Sequence, residues 1–227
     1  MRDPANLSPI ELTIIAASYQ NYRSVHVLIH SLLCQTLQNW HLLLVHDGPD
    51  PQMRAEVGRY VESNPRIEML ETPTRHNDYG HSPRGYGLDR ASSEFIMFTN
   101  DDNYYVPKFT EYMFKRIRRQ KLDLVICNMI HSHRNPGRIW RDDYHVFDSL
   151  PKKWRIDIGN FIIRRSIAQE VGFDSRAYDA DGVFIEKVIG HYNIESKIPD
   201  WFSDHPHVPT KKTIRLGKEA RVLYIHN

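Results

Sequence analysis

The sequence predicts an α/β protein built on a mixed, mainly parallel central sheet flanked by helices. Strand-like apolar runs alternate with helix-like periodic segments from residue 11 to residue 130, a pattern typical of parallel sheets with helices on their faces. Two of the apolar runs also end directly in polar turns. The 227 residues, 41% of them hydrophobic, are enough to bury a substantial core.

Each element follows from a local pattern. ELTIIAAS is an apolar first strand, and apolar residues recur at helical spacing after it. Strands are expected at 11–18, 40–47, 66–72, 95–99 and 122–130, and helices at 23–36, 52–63 and 108–120. Residues 73–90 contain three glycines and two prolines. They should therefore begin as a loop and end in a short helix near Tyr86–Ala91. After residue 130 the periodicity weakens, which divides the chain into a regular half and a less regular one.

Composition narrows the class of protein. A net charge of +2 does not indicate a nucleic-acid partner, and no apolar run has the length of a membrane span. Cys34 and Cys127 lie in apolar segments and are expected to be buried free thiols. The opening MRDPANLSPIEL has no apolar core of signal-peptide length, so we expect a cytoplasmic protein. The basic helix 108–120 leaves peripheral contact with the inner membrane face open. Oligomeric state is not predicted.

Polar side chains follow three of the predicted strands. Tyr19 and Asp47 come after the first two, and Asp101 and Asp102 follow the apolar strand FIMFT. Ligands of open α/β sheets bind at this carboxyl edge. An aromatic ring there can stack on a heterocycle, and adjacent carboxylates suit Mg²⁺ or Mn²⁺ with phosphate ligands. Simple turn formation or helix capping is the alternative interpretation.

Other charged residues suggest further roles. Arg84 lies in a Gly/Pro-rich segment before a helix, where a guanidinium could meet a diphosphate. The basic stretch 204–221 is expected to be a flexible loop that closes over that diphosphate, or else a solvated tail. His131-x-His133 and His205-x-His207 are interpreted as surface residues, so no dedicated zinc site is expected.

Four blocks in order resemble the inverting family 2 glycosyltransferases of the GT-A fold. They are ELTIIAASYQNY, SLLCQTLQNWHLLLVHDG, PRGYGLDRASSEFIMFTNDDN, and IGNFIIRRSIAQEVGFD with DADGVFIEKV. The Asp-Asp-Asn motif is similar to that of bacterial spore-coat and polysaccharide glycosyltransferases. The resemblance implies a single GT-A domain over 1–227, with a nucleotide-sugar-binding half at 11–130 and an acceptor-binding half at 131–227. The family often has Asp-Asp where this chain has His46-Asp47.

The resemblance also implies roles for individual residues. Nucleotide-binding positions are Ala17, Tyr19, Asp47, Arg84 and Asp101, with a UDP-sugar as the expected donor. Metal ligands for Mn²⁺ or Mg²⁺ are Asp102 and His226. The implied reaction is an inverting single displacement onto a glycan or lipid-linked acceptor.

A general base must deprotonate the acceptor hydroxyl. Asp181 is the first candidate and Asp179 the alternative. Acceptor-side candidates are Trp154, whose ring suits a sugar face, and Asp157, Gly159 and Asn160, which match the family's acceptor segment. A nucleotidyltransferase or a non-catalytic nucleotide-sugar-binding module is the alternative function. The chain has no Gly-rich, Lys-bearing phosphate loop after its first strand and no G-x-G-x-x-G.

Overall fold

The computed structural model describes residues 10–131, 134–135, 139–140, 145–173, 179–201 and 203–226. The helices are α1 Val25–Leu33, α2 Pro51–Ser63, α3 His81–Arg90, α4 Phe109–Gln120, α5 Arg165–Val171 and α6 Ala180–His191. The strands are β1 Leu12–Ser18, β2 Trp40–His46, β3 Ile67–Glu71, β4 Phe95–Asn100, β5 Tyr104–Tyr105, β6 Leu124–His131, β7 Arg134–Asn135, β8 Ile139–Trp140, β9 His145–Phe147, β10 Phe161–Arg164, β11 Asn193–Ser196 and β12 Thr213–His226.

One large sheet organises these elements in the order β11-β12-β6-β10-β4-β1-β2-β3, with β5 beside β12 and β9 beside β6. Strands β3, β2, β1 and β4 are parallel, and β10 runs antiparallel between β4 and β6. The mixed, mainly parallel sheet predicted from the sequence is confirmed. Strands from both predicted halves of the chain alternate in it.

Two apolar layers cover the sheet because successive strand residues point to opposite faces. Ile14 belongs to the layer beneath α1, α2 and α4, whereas Ile15 belongs to the layer beneath α3, α5 and α6. Gly87 lets α3 lie against β1, since a Cβ there would be 2.5 Å from an Ile15 methyl. This close approach places the start of α3 at the carboxyl edge of the sheet.

Two expectations from the sequence are wrong in detail, and one short strand was not predicted. Helix α3 begins at His81, so it replaces the last part of the expected loop despite three internal Gly or Pro residues. Cys34 is exposed because it follows the last turn of α1, whereas Cys127 is buried as expected. The strand β5 was not predicted, because its two residues are too few to show a periodic pattern.

The basic stretch 204–221 is not a single flexible loop, because residues from Thr213 onward form strand β12. Most of its cations are paired with acids of neighbouring elements. The ion pairs are Lys212 with Glu170, Arg215 with Glu195, Lys218 with Asp148, and Arg221 with Glu219. The first three pairs join this stretch to α5, β11 and Asp148, whereas Arg221 and Glu219 both belong to β12. None of the described helices is both long and apolar enough to cross a membrane.

Candidate active site

The order of the sheet reverses at β1, which lies between β2 and β4. Open α/β sheets bind ligands outside the carboxyl ends of strands at such a reversal. Tyr19, Asp47 and Asp101 follow these three strands directly, so the structure brings them to one crevice. Ala17 lies in β1 beside Val45 and Asn100, and a Cβ on Gly80 would come within 2.9 Å of its methyl group.

Two side chains lie close to the Tyr19 ring. The His46 ring is stacked with it at a centroid distance of 5.7 Å, and the exposed Arg75 guanidinium lies 4.0 Å from the ring centroid. His46 is buried, with Nδ1 2.7 Å from the Gly48 carbonyl and Nε2 3.1 Å from the Gln20 amide. A carbonyl accepts and an amide donates, so Nδ1 donates to Gly48 and Nε2 accepts from Gln20.

Asp47 holds the loop that carries Arg75. Its two carboxylate oxygens each accept a 2.8 Å hydrogen bond, one from the backbone amide of His76 and one from that of Asn77. The side chain is buried. Asp47 therefore anchors the wall of the crevice, and any hydrogen bond to a heterocycle would use the lone pairs that remain.

Arg84 is a buried cation in the first turns of α3. Its guanidinium donates to the Tyr79 carbonyl at 2.9 Å and to the side-chain oxygen of Asn100. Nε has no hydrogen-bond partner in the part of the chain that the structure describes. Burial lowers the pKa of Arg84, while the charges of Asp157 and Asp181 raise it. A buried guanidinium bonded to neutral oxygens is suited to an anionic ligand.

Asp101 and Asp102 both carry buried carboxylate oxygens. Asp101 Oδ1 accepts a 2.9 Å bond from Asn21, and burial raises its pKa to about 6. Burial also raises the pKa of Asp102, against the opposing influence of His226. Asp101 Oδ2 and Asp102 Oδ1 have no hydrogen-bond partner among the described residues. An unpaired carboxylate oxygen is the kind of ligand that Mg²⁺ or Mn²⁺ takes. Asn103 is fully buried and donates to Thr99 instead.

His226 lies beside Asp157 and His131. Its Nε2 is 3.6 Å from Asp157 Oδ2, and its ring stacks on that of His131 with centroids 4.3 Å apart and planes 4° apart. Asp157 Oδ1 accepts from the Tyr224 hydroxyl at 2.7 Å and from the Gly159 amide at 2.8 Å. His131, interpreted from the sequence as a surface residue, is half-buried beside His226. Its position at the end of an apolar strand, as with His226, is the signal that could have revealed it.

The two candidate bases have different environments. Asp179 forms a 2.5 Å ion pair with Lys153, and this hydrogen bond lowers its pKa. Asp181 lies in the first turn of α6, where burial and the charge of Asp157 raise its pKa to about 6. The Gly182 amide donates to Asp181 Oδ1 at 2.7 Å. Asp181 is thus the carboxylate whose environment favours accepting a proton near neutral pH.

The acceptor-side candidates separate into exposed and buried residues. Trp154 is 70% exposed and has φ of 65°, a left-handed conformation that is strained for a bulky residue. Its neighbour Lys153 packs closely against the start of α6. A Cβ on Gly182 would lie only 2.8 Å from Lys153 Cγ. Asn160 is fully buried and donates to Cys127 and Ser149, so it cannot contact an acceptor directly in this conformation.

The packing around Gly159 leaves no room for a side chain at this position. A Cβ there would be 2.7 Å from the Tyr105 hydroxyl and 2.8 Å from that of Tyr224. The turn of residues 157–160 is therefore fixed beneath the site by close packing and by the hydrogen bonds of Asp157.

Two solved glycosyltransferase structures share this fold. S. aureus TarS residues 1–349 in complex with UDP-GlcNAc superposes with a TM-score of 0.66 at 15% identity, covering 95% of this chain and 58% of that one. The mannosyltransferase PcManGT from Pyrobaculum calidifontis, in complex with GDP-Man and Mn²⁺, gives a TM-score of 0.62 at 12% identity over 97% of this chain and 59% of that one. The fold is that of GT-A glycosyltransferases, as the sequence predicted.

The family can also be stated. The model of glycosyl transferase family 2 matches residues 13–179, so the chain belongs to that family. A curated relative, UDP-Glc:alpha-D-GlcNAc-diphosphoundecaprenol beta-1,3-glucosyltransferase WfgD of Escherichia coli, is 23% identical over 71% of this chain and 63% of its own length. Putative glycosyltransferase EpsH of Bacillus subtilis is 24% identical over 63% and 40%. The chain thus spans less than two thirds of these relatives.

Proposed function

We propose that the chain transfers a sugar from a nucleoside diphosphate sugar, most simply a UDP-sugar, to a hydroxyl of a glycan or lipid-linked acceptor. The observation that carries this proposal is the buried Arg84 guanidinium at the same sheet edge as the Asp101 and Asp102 carboxylates. A diphosphate with a divalent cation would complement both charges. The UDP-GlcNAc bound to TarS and the UDP-Glc in the name of WfgD support uridine over other bases.

The nucleoside base is proposed to lie against Tyr19. Arg75 covers the outer face of that ring, and an exposed cation over an aromatic ring is worth about 0.5–1 kcal/mol. Stacking of a base on an aromatic ring is worth about 1–3 kcal/mol. Displacement of Arg75 from Tyr19 by the base would therefore give a net gain in binding free energy.

Asp102 and His226 are proposed to hold Mn²⁺ or Mg²⁺, with Asp101 next to the nucleotide. A bound divalent ion would supply positive charge to the departing diphosphate. Arg84 supplies charge from the chain itself: its guanidinium orients the diphosphate and stabilises the negative charge that develops on it.

Asp181 is proposed as the general base. Its raised pKa and its place at the start of α6, in the field of Arg84, support this role over Asp179, whose carboxylate is paired with Lys153. The acceptor hydroxyl would lose its proton to Asp181 as its oxygen attacks the anomeric carbon. The bond to the diphosphate would break on the opposite face, with inversion. The exposed Trp154 offers its ring to the acceptor sugar.

The test combines binding with turnover. Isothermal titration with UDP, GDP and dTDP, each with and without Mn²⁺, should show selective binding of UDP that Mn²⁺ strengthens. Slow hydrolysis of a UDP-sugar should accompany it and fall at least a hundredfold in Asp102→Asn. Preference for GDP would overturn the donor assignment. Binding without turnover of any sugar nucleotide, with acceptor glycans present, would indicate a binding module instead.

A further inference from the structure

One segment of the chain carries a positive charge that the rest does not share. Residues 108–121, which comprise α4 and its two caps, hold six of the 30 Lys and Arg residues and only one of the 28 Asp and Glu residues. They therefore have a net charge of +5, whereas the remaining 24 cations and 27 acids give the rest of the chain a net charge of −3. The small total charge conceals a strongly basic helix.

The cations of this segment are concentrated on one side of α4. Five side chains, which we call the basic face, fall within about 100° of the helix circumference at about 3.6 residues per turn. They are Lys108, Tyr112, Lys115, Arg116 and Arg119. The buried apolar residues of α4 lie on the opposite side, in the core layer. Because a helix rises about 1.5 Å per residue, the basic face is about 16 Å long.

Ion pairs within the chain leave most of the basic face uncompensated. Lys108, Lys115 and Arg119 are exposed, and none of them forms an ion pair within the described ranges of the chain. Arg116 pairs with Glu219, which is buried. The three exposed cations are therefore available to an anion outside the chain.

A cation of β12 enlarges the basic face. The Arg221 guanidinium lies over the Tyr112 ring, 4.3 Å from its centroid, and Lys108 Nζ lies 5.9 Å from that centroid. Arg221 and Arg116 share the carboxylate of Glu219, so one positive charge of the two remains uncompensated. Tyr rings and clustered Lys or Arg side chains are typical of protein surfaces that meet lipid headgroups.

The basic face begins close to the candidate active site. Strand β5 follows the turn of Asp101–Asn103 and pairs with the end of β12, where Tyr104 is opposite Ile225. Lys108 comes six residues after Asp102, and six residues span at most about 21 Å. A surface in contact with α4 would therefore lie near the edge of the sheet at which the reaction is proposed to occur.

We propose that the basic face, together with Arg221, docks on an anionic membrane surface and holds the carboxyl edge of the sheet close to the lipid headgroups. The choice of a membrane rests on the proposed function, because a lipid-linked acceptor lies in a bilayer. Each Lys or Arg near an anionic bilayer strengthens binding by roughly fivefold. Binding is therefore electrostatic and reversible, and salt weakens it. Docking concentrates the enzyme where its acceptor is.

The experiment measures co-sedimentation of the full chain with vesicles of phosphatidylcholine alone, or of phosphatidylcholine with an equal amount of phosphatidylglycerol. The parent should bind the anionic vesicles at least about tenfold more tightly, and about 0.5 M NaCl should release it. Lys115→Gln/Arg119→Gln should bind them about thirtyfold more weakly than the parent. The matched control, Arg90→Gln/Lys197→Gln, removes two exposed cations outside α4 and should stay within about threefold.

Three results would overturn the proposal. They are equal binding of the parent to neutral and anionic vesicles, equal losses in the two double variants, and tighter binding to a DNA duplex than to anionic vesicles. The last would assign the basic face to nucleic acid. If Lys115→Gln/Arg119→Gln melts below the parent, Lys115→Gln replaces it, with an expected loss of about fivefold.

UDP calorimetry and UDP-sugar hydrolysis on the same proteins test the proposed function separately. Both should be unchanged in Lys115→Gln/Arg119→Gln, since neither residue belongs to the candidate active site. A parent that binds UDP but no anionic vesicles would refute the docking alone. A parent that binds anionic vesicles but turns over no sugar nucleotide would refute the transferase activity alone.

Discussion

Replacing Asp181 by Asn should make the protein more stable and nearly inactive. Burial and the nearby Asp157 raise the pKa of Asp181 from its ordinary 3.8 to about 6, with the Gly182 amide and Arg84 opposing. This difference in pKa corresponds to a free-energy cost of about 3 kcal/mol for ionising Asp181 in the folded chain. Because the side chain is partly exposed, we expect Asp181→Asn to raise the free energy of unfolding by only about 1–2 kcal/mol.

Proton linkage determines how the stability of the folded chain depends on pH. Between about pH 4 and pH 6 the folded chain holds the Asp181 proton more tightly than the unfolded chain does, so stability falls as pH rises through this range. The penalty is absent below about pH 4 and complete above about pH 6. Asn carries no charge and its side-chain oxygen can still accept from Gly182. Urea unfolding should therefore show Asp181→Asn more stable than the parent at pH 8 and equal to it at pH 4.

Activity should move in the opposite direction. Loss of a general base typically costs about 10²–10⁴ in rate, and the parent's kcat/KM should fall tenfold per pH unit below about pH 6. Asp179→Asn is the matched control: it breaks only the Lys153 pair, costs up to about 1 kcal/mol, and leaves the acid limb in place. An Asp181→Asn protein that is less stable at pH 8, or that keeps its turnover while Asp179→Asn loses it, would refute the reasoning.

Three further predictions concern binding and packing. Tyr19→Ala should weaken UDP binding in calorimetry by about 1–3 kcal/mol, whereas Arg75→Gln should leave it within about threefold; a tenfold loss in the latter would show that Arg75 contacts the nucleotide. Arg84→Met should weaken UDP binding about 10–100-fold through lost charge-assisted bonds without lowering the melting temperature, and unchanged affinity would remove Arg84 from the site. Gly87→Ala should lower the free energy of unfolding by about 1–3 kcal/mol because its methyl would overlap Ile15, while the open Gly58 tolerates Ala with a gain of up to about 1 kcal/mol; equal effects at both glycines would contradict the packing argument.

The regular half of the fold was predictable because each strand there carries its own signal. Apolar runs at β1, β2 and β4 are long, buried and separated by helical periodicity, so local pattern and tertiary context agree. Helix α3 was predicted too short because Gly and Pro have low helix propensity. The approach of Gly87 to Ile15 explains why a residue without a side chain is required there. Propensity rules cannot include a tertiary contact of this kind.

The candidate site was predictable to the extent that it follows strand ends. Tyr19, Asp47 and Asp101 each come directly after a strand, so their position at the edge needs only the sheet. Asp47 was expected to face a base, but its bonds to the loop amides depend on the path of residues 73–80. His131 was missed because its partner on β12 is set by bulges, and the sequence does not reveal where a strand is irregular.

Asp157 connects the two halves of the proposed reaction. Its Oδ2 lies nearest His226 on the metal side, and its charge contributes to the raised pKa of Asp181 on the acceptor side. The hydroxyl of Tyr224 holds Asp157 from below, and that ring stacks on Tyr105 with centroids 5.1 Å apart. Tyr105 in turn belongs to β5, directly after the Asp101–Asn103 turn. A change in the position of Asp157 would therefore alter the proposed metal ligand His226 and the proposed base Asp181 together, and the close packing at Gly159 restricts such a change.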